Sequence, residues 1–255
     1  MSYGRGMKFT HFILAALAGV VSPGFAAEKI KVSSFSTVLT EVGQKVGGKR
    51  VAVHAHVKPG VDPHDFEPKP ADLKAVSEAQ LVLLSAKHME GYVTKLREVT
   101  GPKTRVVKVG DQFPSLKMKP GDHDHDHGHK EHADERGVVE DPHWWHSIRN
   151  VERATKIVRD ALIAMSPADK ALFSANAEQY LAKLDALQKW TKQQIAELPR
   201  NQRKLVTSHE AFGYFAKEHG FTIYAVEGVT SADQPSSKKV AGLIETVRKQ
   251  GVKAI

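Results

Sequence analysis

The segment IKVSSFSTVLTEVGQKVGGKRVAVHAHV, residues 30–57, decides the fold. Ile30 to Ser34 reads as a strand, Thr37 to Val46 as a helix and Arg50 to Val57 as a second strand. The rhythm continues downstream, with a helix over about Ala71 to Ala79, Asp72 in its first turn, and a short buried strand from Leu81 to Ser85. A helix from Glu90 to Val99 and a strand from Arg105 to Val109 follow. Strand, helix, strand in this order predicts an α/β fold with a parallel, helix-covered sheet.

The alternation stops after Val109. Residues 115–140 carry little apolar content and no period, and read as a mobile loop. Two helices follow with no strand between them. Val151, Ala154, Val158, Ala161 and Met165 line one stripe of the first. Ser166-Pro167 marks a fresh start, with proline in a first turn where its missing N–H costs nothing. The second helix is expected to run to about Leu198, with Phe173, Ala177, Tyr180, Leu184, Leu187, Ile195 and Leu198 on one side. Its length suits a rigid strut between two lobes. Alternation resumes with a strand at Lys204 to Thr207, a helix at Glu210 to His219, a strand at Phe221 to Val226 and a helix at Ser236 to Gln250. Val252 to Ile255 reads as a last strand, which predicts that part of the second lobe is missing beyond it. The expected organisation is an export signal at 1–26, a first lobe at 27–165, a linker helix at 166–198 and an incomplete second lobe at 199–255.

Composition narrows the chemistry. The chain has 255 residues, no cysteine and 14 histidines. Disulfide frameworks, thiolate zinc fingers, iron–sulfur clusters and cysteine nucleophiles are excluded, as is acylation on a cysteine. A transition-metal site must use imidazole and carboxylate. The net charge of +8 comes from 37 Lys/Arg set against 29 Asp/Glu. These are spread along the chain with no basic run interleaved with aromatics, which argues against nucleic-acid binding. Arg5 and Lys8, the apolar stretch Phe12 to Val21 and the small residues up to Ala26 form an export signal, too short to span a bilayer comfortably. The mature protein is expected to be free and soluble in the periplasm, without membrane insertion, lipid anchor or nucleic-acid partner, and monomeric.

Two tripeptides recur in loops, Asp62-Pro63-His64 and Asp141-Pro142-His143. Proline stiffens the backbone before each imidazole, and the aspartate is placed to accept a ring N–H or to hold the turn. His209 follows the strand Leu205-Val206-Thr207, and carboxyl ends of strands in open parallel sheets are where ligands bind. His64, His143 and His209 are therefore expected to converge between the lobes as three ligands for zinc. His123, His125, His127, His129 and His132 place five histidines in ten residues, a pattern that collects metal weakly in many arrangements. His54 and His56 share one strand face and read either as a secondary site or as ordinary strand residues. His88, His146 and His219 are isolated. Glu210 after His209 imitates the start of the H-E-x-x-H protease helix, but Gly213 stands at the second ligand position and the protease reading fails.

With these motifs in hand, the sequence resembles the zinc-binding members of the cluster A-I (cluster 9) periplasmic solute-binding proteins that feed metal ABC transporters. The resemblance rests on Gly60-Val61-Asp62-Pro63-His64-Asp65-Phe66-Glu67-Pro68, on Asp141-Pro142-His143-Trp144-Trp145, on Thr207 to Phe215, and on Asn176 to Leu181. The histidine-rich loop sits where zinc members carry one. The resemblance implies two α/β lobes joined by one long helix, metal ligation by His64, His143 and His209, and delivery of Zn2+ to an inner-membrane ABC permease by a protein that is not an enzyme. Manganese members tend to place glutamate at the third position, so His209 points to zinc. Some zinc members place glutamate just before the first histidine, where this chain has Pro63. A fourth ligand is expected from a carboxylate beyond Ile255, with water or a loop histidine as substitutes. Other readings of the same residues are a zinc buffer or metallochaperone, an adhesin, and a three-histidine zinc hydrolase using Glu210 or Glu227 as base.

Overall fold

A computed structural model describes Met1 and residues 28–118, 139–226 and 237–252. The expected export signal, the five clustered histidines, Glu227 and all of the terminal strand except Val252 lie outside the described residues.

The first sheet has four parallel strands. β1 (Ile30–Ser34), β2 (Val51–Ala55), β3 (Leu81–Leu84) and β4 (Arg105–Lys108) lie in the order β2-β1-β3-β4. α1 (Thr37–Gly47) connects β1 to β2, and its first turn is closed by the Ser36 hydroxyl, which accepts from Leu39 N at 3.4 Å. α2 (Pro70–Ser77) and α3 (Val93–Val99) fill the next two crossovers.

β3 shows why both sheet faces are covered. All four of its residues are buried, and successive side chains point to opposite faces. Leu81 and Leu83 enter the larger core with Leu39, Val42, Trp144, Val158, Leu162 and Phe173. Val82 and Leu84 enter a second core with Phe35, Val76, Tyr92 and Leu96. The larger core is roofed by α1, α4 (Ile148–Met165) and α5 (Lys170–Ala196). Between β4 and α4, the short strands β5 (Lys117–Met118) and β6 (Val139–Glu140) pair antiparallel.

A second parallel sheet pairs β7 (Lys204–Thr207) with β8 (Thr222–Ala225), and α6 (Gly213–His219) crosses between them. α7 (Ser237–Gln250) follows. The α/β architecture, the parallel strands and the long helix all match expectation. α5 has 27 residues, about 40 Å at 1.5 Å per residue.

Three sequence expectations change in detail. Leu187 was placed on the buried side of α5, yet it is 45 % exposed, while Gln188 is buried. Towards its C-terminal end the helix faces α6 instead of α1 and α4, and Gln188 Nε2 donates to Glu218 Oε1 at 2.7 Å. The buried stripe therefore rotates by one residue.

α3 starts at Val93, not Glu90, because Glu90 is engaged elsewhere. Its carboxylate accepts from Ser85 N at 2.5 Å and Ala86 N at 2.9 Å. That clamp closes a loop in which Ala86, Lys87 and His88 all have positive φ, at 69°, 53° and 64°, a conformation L-residues rarely adopt in succession. α6 starts at Gly213 instead of Glu210, because Ala211 N donates back to the His209 carbonyl at 2.9 Å and forms a turn first.

Burial pushes the Glu90 carboxyl up to about 7, against the pull of its two N–H donors. Its proton is then held more tightly in the folded chain than in the unfolded one, so its contribution to stability is full below about pH 4.5 and is lost as pH rises towards 7. In urea titrations, Glu90→Gln is expected to flatten this decline, whose upper bound is about 3 kcal/mol. Parallel stability–pH curves for the two proteins would refute it.

Candidate metal centre

His64 stands in the segment between β2 and α2. Its backbone N–H donates to Asp62 Oδ1 at 2.9 Å. The second Asp-Pro-His copy repeats this turn, with His143 N donating to Asp141 Oδ1 at 2.9 Å. Here the aspartate does more, because the same Oδ1 lies 2.9 Å from His143 Nδ1. With Nδ1–H given to Asp141, Nε2 is left unprotonated and turned towards the site, the form a metal needs. A 3-10 turn at Trp144–His146 follows. Trp144 is fully buried and Nε1 donates to the Ser85 carbonyl at 3.0 Å, which pins the backbone beside His143.

His209 arrives from the other sheet, two residues after β7. Thr207 Oγ1 donates to its carbonyl at 2.8 Å, and Ser208 Oγ lies 3.3 Å from its Nδ1. One donor atom from each of His64, His143 and His209 lies within 4.8 Å of the others. The Nε2 atoms of His64 and His143 are 3.0 Å apart. Two nitrogens bound at about 2.0–2.1 Å to one tetrahedral ion would stand about 3.3 Å apart, so the pair is already near a chelating separation. Ring centroids are separated by 5.1 Å for His64–His143, 5.7 Å for His64–His209 and 5.2 Å for His143–His209. The rings line a cavity of about 370 Å³ together with Val61, Trp145 and His146. The structure thus brings together the three histidines expected from sequence.

Burial and the neighbouring His143 keep the His209 imidazole below its usual pKa. His146 is pushed down to about 4, first by burial and then by His143, and its ring packs on Phe212 at 4.4 Å. His209 and His146 are thereby biased towards the neutral form.

Three contributors were missed by sequence reasoning. His146 looked isolated and lines the cavity. Gly213, dismissed as a failed protease ligand, has a definite role, because a Cβ there would fall 2.6 Å from Asp141 Oδ2. Tyr214 donates its hydroxyl proton to the Asp141 carbonyl at 3.2 Å and accepts from Leu116 N at 3.0 Å. The sequence signal was the Gly213-Tyr214 pair directly after the His209 turn, where a glycine on a helix is a reason to look for a close approach. Elsewhere, His219 is buried beside Phe215, with ring centroids 4.6 Å apart. Burial likewise lowers the pKa of His56, whose Nδ1 lies 2.9 Å from Asp72 Oδ1.

Three imidazoles meet here from the segments after β2, β6 and β7, an arrangement that suits a substrate-binding protein of metal import. The chain belongs to the family described as zinc-uptake complex component A, periplasmic, which it matches over residues 32–255. It is 28% identical over 248 residues to the manganese-binding lipoprotein MntA of Bacillus subtilis (strain 168), covering 97% of this chain and 76% of that one. It is 26% identical to the iron-binding protein YfeA of Yersinia pestis, covering 98% and 76%. Among solved structures, the Zn(II)-bound ZnuA-like domain of Streptococcus pneumoniae AdcA superposes with a TM-score of 0.69 at 26% identity, over 88% of this chain and 76% of that one. Members of this family serve ABC-type metal import on the outer side of the membrane.

Gly213→Ala is expected to displace Asp141 and weaken metal binding about 10- to 100-fold, in line with other groups that orient a metal-binding histidine, with the circular dichroism spectrum retained. An unchanged affinity in competition titrations would show that Asp141 does not set the His143 orientation.

Proposed function

We propose that this protein captures Zn2+ outside the cytoplasmic membrane and delivers it to an ABC permease. The observation that carries the reading is the convergence of three imidazoles, from His64, His143 and His209, within 4.8 Å. An all-nitrogen set suits zinc better than manganese, which favours carboxylate and carbonyl oxygens. The Zn(II)-bound state named for the AdcA domain supports the same choice, whereas the manganese and iron names of other relatives make metal preference the property to measure.

In this reading residues 27–165 form the first lobe, 166–198 the linker helix and 199–255 the portion of the second lobe in this chain, with residues 1–26 directing export. No cysteine occurs in the 255 residues to carry a lipid, which supports a diffusing carrier in contrast to relatives named lipoproteins; we infer that it acts as a monomer. His123, His125, His127, His129 and His132 gather Zn2+ around the tight site without composing it.

Competition titrations and metal analysis test this. The purified chain is expected to hold Zn2+ more tightly than Mn2+ or Fe2+, and His209→Ala to lose the tight site. Tight zinc binding retained in that variant would sink the assignment. Asparagine at the five clustered histidines is expected to lower total zinc bound while leaving the tight site intact. Because only deprotonated imidazole binds metal, affinity should fall on acidification. The lowered pKa of His209 places its own loss below the usual histidine value of about 6.5. Constant affinity from neutral pH to pH 5 would argue against a three-histidine site. A carrier also shows no ester turnover in proportion to bound zinc, whereas a hydrolase would.

A further inference from the structure

A second group of metal-capable side chains lies apart from the three-histidine centre. β2 is an edge strand, and residues two apart on a strand share a face. His54, and His56 one residue past the end of β2, where its N–H still donates to the Ser34 carbonyl, lie on that face with ring centroids 4.6 Å apart. Asp72, in the first turn of α2, meets them from the helix side. Its Oδ1 is 2.9 Å from His56 Nδ1, while Oδ2 accepts from Lys69 N at 2.8 Å. One donor atom from each of the three residues lies within 4.8 Å of the other two.

We propose that His54, His56 and Asp72 form a second binding site for a divalent first-row cation, with zinc as the best fit to two imidazoles and one carboxylate. A helix-capping aspartate paired with a buried histidine accounts for two of the three residues. It does not account for a second imidazole held against the first at the open side.

The His56 side chain is wholly buried and its ring stacks on Phe35 at 4.2 Å and 9°, which holds its Nδ1 against Asp72 Oδ1. The 2.9 Å between His56 Nδ1 and Asp72 Oδ1 is close to the separation of two ligands held at about 2.0–2.2 Å on one ion. His54 is exposed, which leaves the group open to an entering cation.

The location gives the site a consequence. His54 and His56 precede the segment that carries His64, and Asp72 follows it. A cation bound there ties the two ends of that segment together.

Zn2+ itself is the probe, added to the full chain carrying His64→Ala, His209→Ala and asparagine at all five clustered histidines. This protein is expected to retain one zinc equivalent in equilibrium dialysis, and Co2+ in its place to give visible d–d absorption. Adding His54→Ala should weaken the retained equivalent at least about tenfold and remove the cobalt band. His54 is exposed, so the thermal midpoint should stay within a few degrees. Asp72→Asn serves as the second variant and should have the same effect on binding. No zinc equivalent in the background protein, or one indifferent to both substitutions, overturns the proposal. Because the three-histidine centre is disabled throughout, that result would leave the import reading untouched.

Discussion

The carboxylate of Asp141 is fully buried, and the geometry of the centre depends on how it is surrounded. One oxygen holds both the backbone N–H and the ring of His143. The other faces Gly213 across a gap that no larger residue would leave. The Asp141 carbonyl accepts from Tyr214, and Asp141 N donates to the Leu116 carbonyl at 2.9 Å. Moving this buried carboxylate is costly, since a shift would leave the His143 donors unmet, while Oδ2 is held by close packing alone, with no hydrogen-bond partner among the described residues. Its neighbours come from the segment before α4 and from α6, so the residue that orients His143 is also braced by the helix that crosses the second parallel sheet.

That arrangement explains why a glycine and a tyrosine far from His143 in sequence belong to the centre. Tyr214 is 7% exposed and enters the larger core with Trp144 and Phe173. The core that supports the first sheet therefore also fixes α6, and through the turn before α6 it positions His209. Packing and the placement of the three histidines are set by the same contacts.

Much of this was legible from residues alone. The alternation from Ile30 to Val109 predicted the parallel sheet because each strand is short, apolar and bounded by a helix of ordinary period. The paired Asp-Pro-His tripeptides and His209 at a strand end predicted which three histidines the fold brings together, since proline-stiffened turns and strand termini are where side chains are held for binding. The missed features depend on distance across the fold. Glu90 reads as a helix former until its carboxylate is seen to clamp Ser85 and Ala86. Gly213 reads as a lost ligand until Asp141 is placed against it. Leu187 satisfies the helical period, yet the partner facing α5 changes along its length.

The separation of the three histidines bears on how much the protein would have to move to bind a cation among them. His64 and His143 already stand with their Nε2 atoms 3.0 Å apart, and the described donors of all three histidines fall within 4.8 Å. An entering ion of tetrahedral preference needs shifts of well under a side-chain length to reach all three at about 2.0–2.1 Å. Most of the ordering entropy is therefore met by folding, through the Asx turns at Asp62 and Asp141 and the rigid packing of α4 and α5, and not by binding. His143 is the least free of the three, being 1% exposed and held at both Nδ1 and its backbone N–H. His64 and His209 are more open, and adjustment falls to them. Capture by these residues would require two half-exposed imidazoles to settle against one fixed imidazole, an adjustment in the loops after β2 and β7.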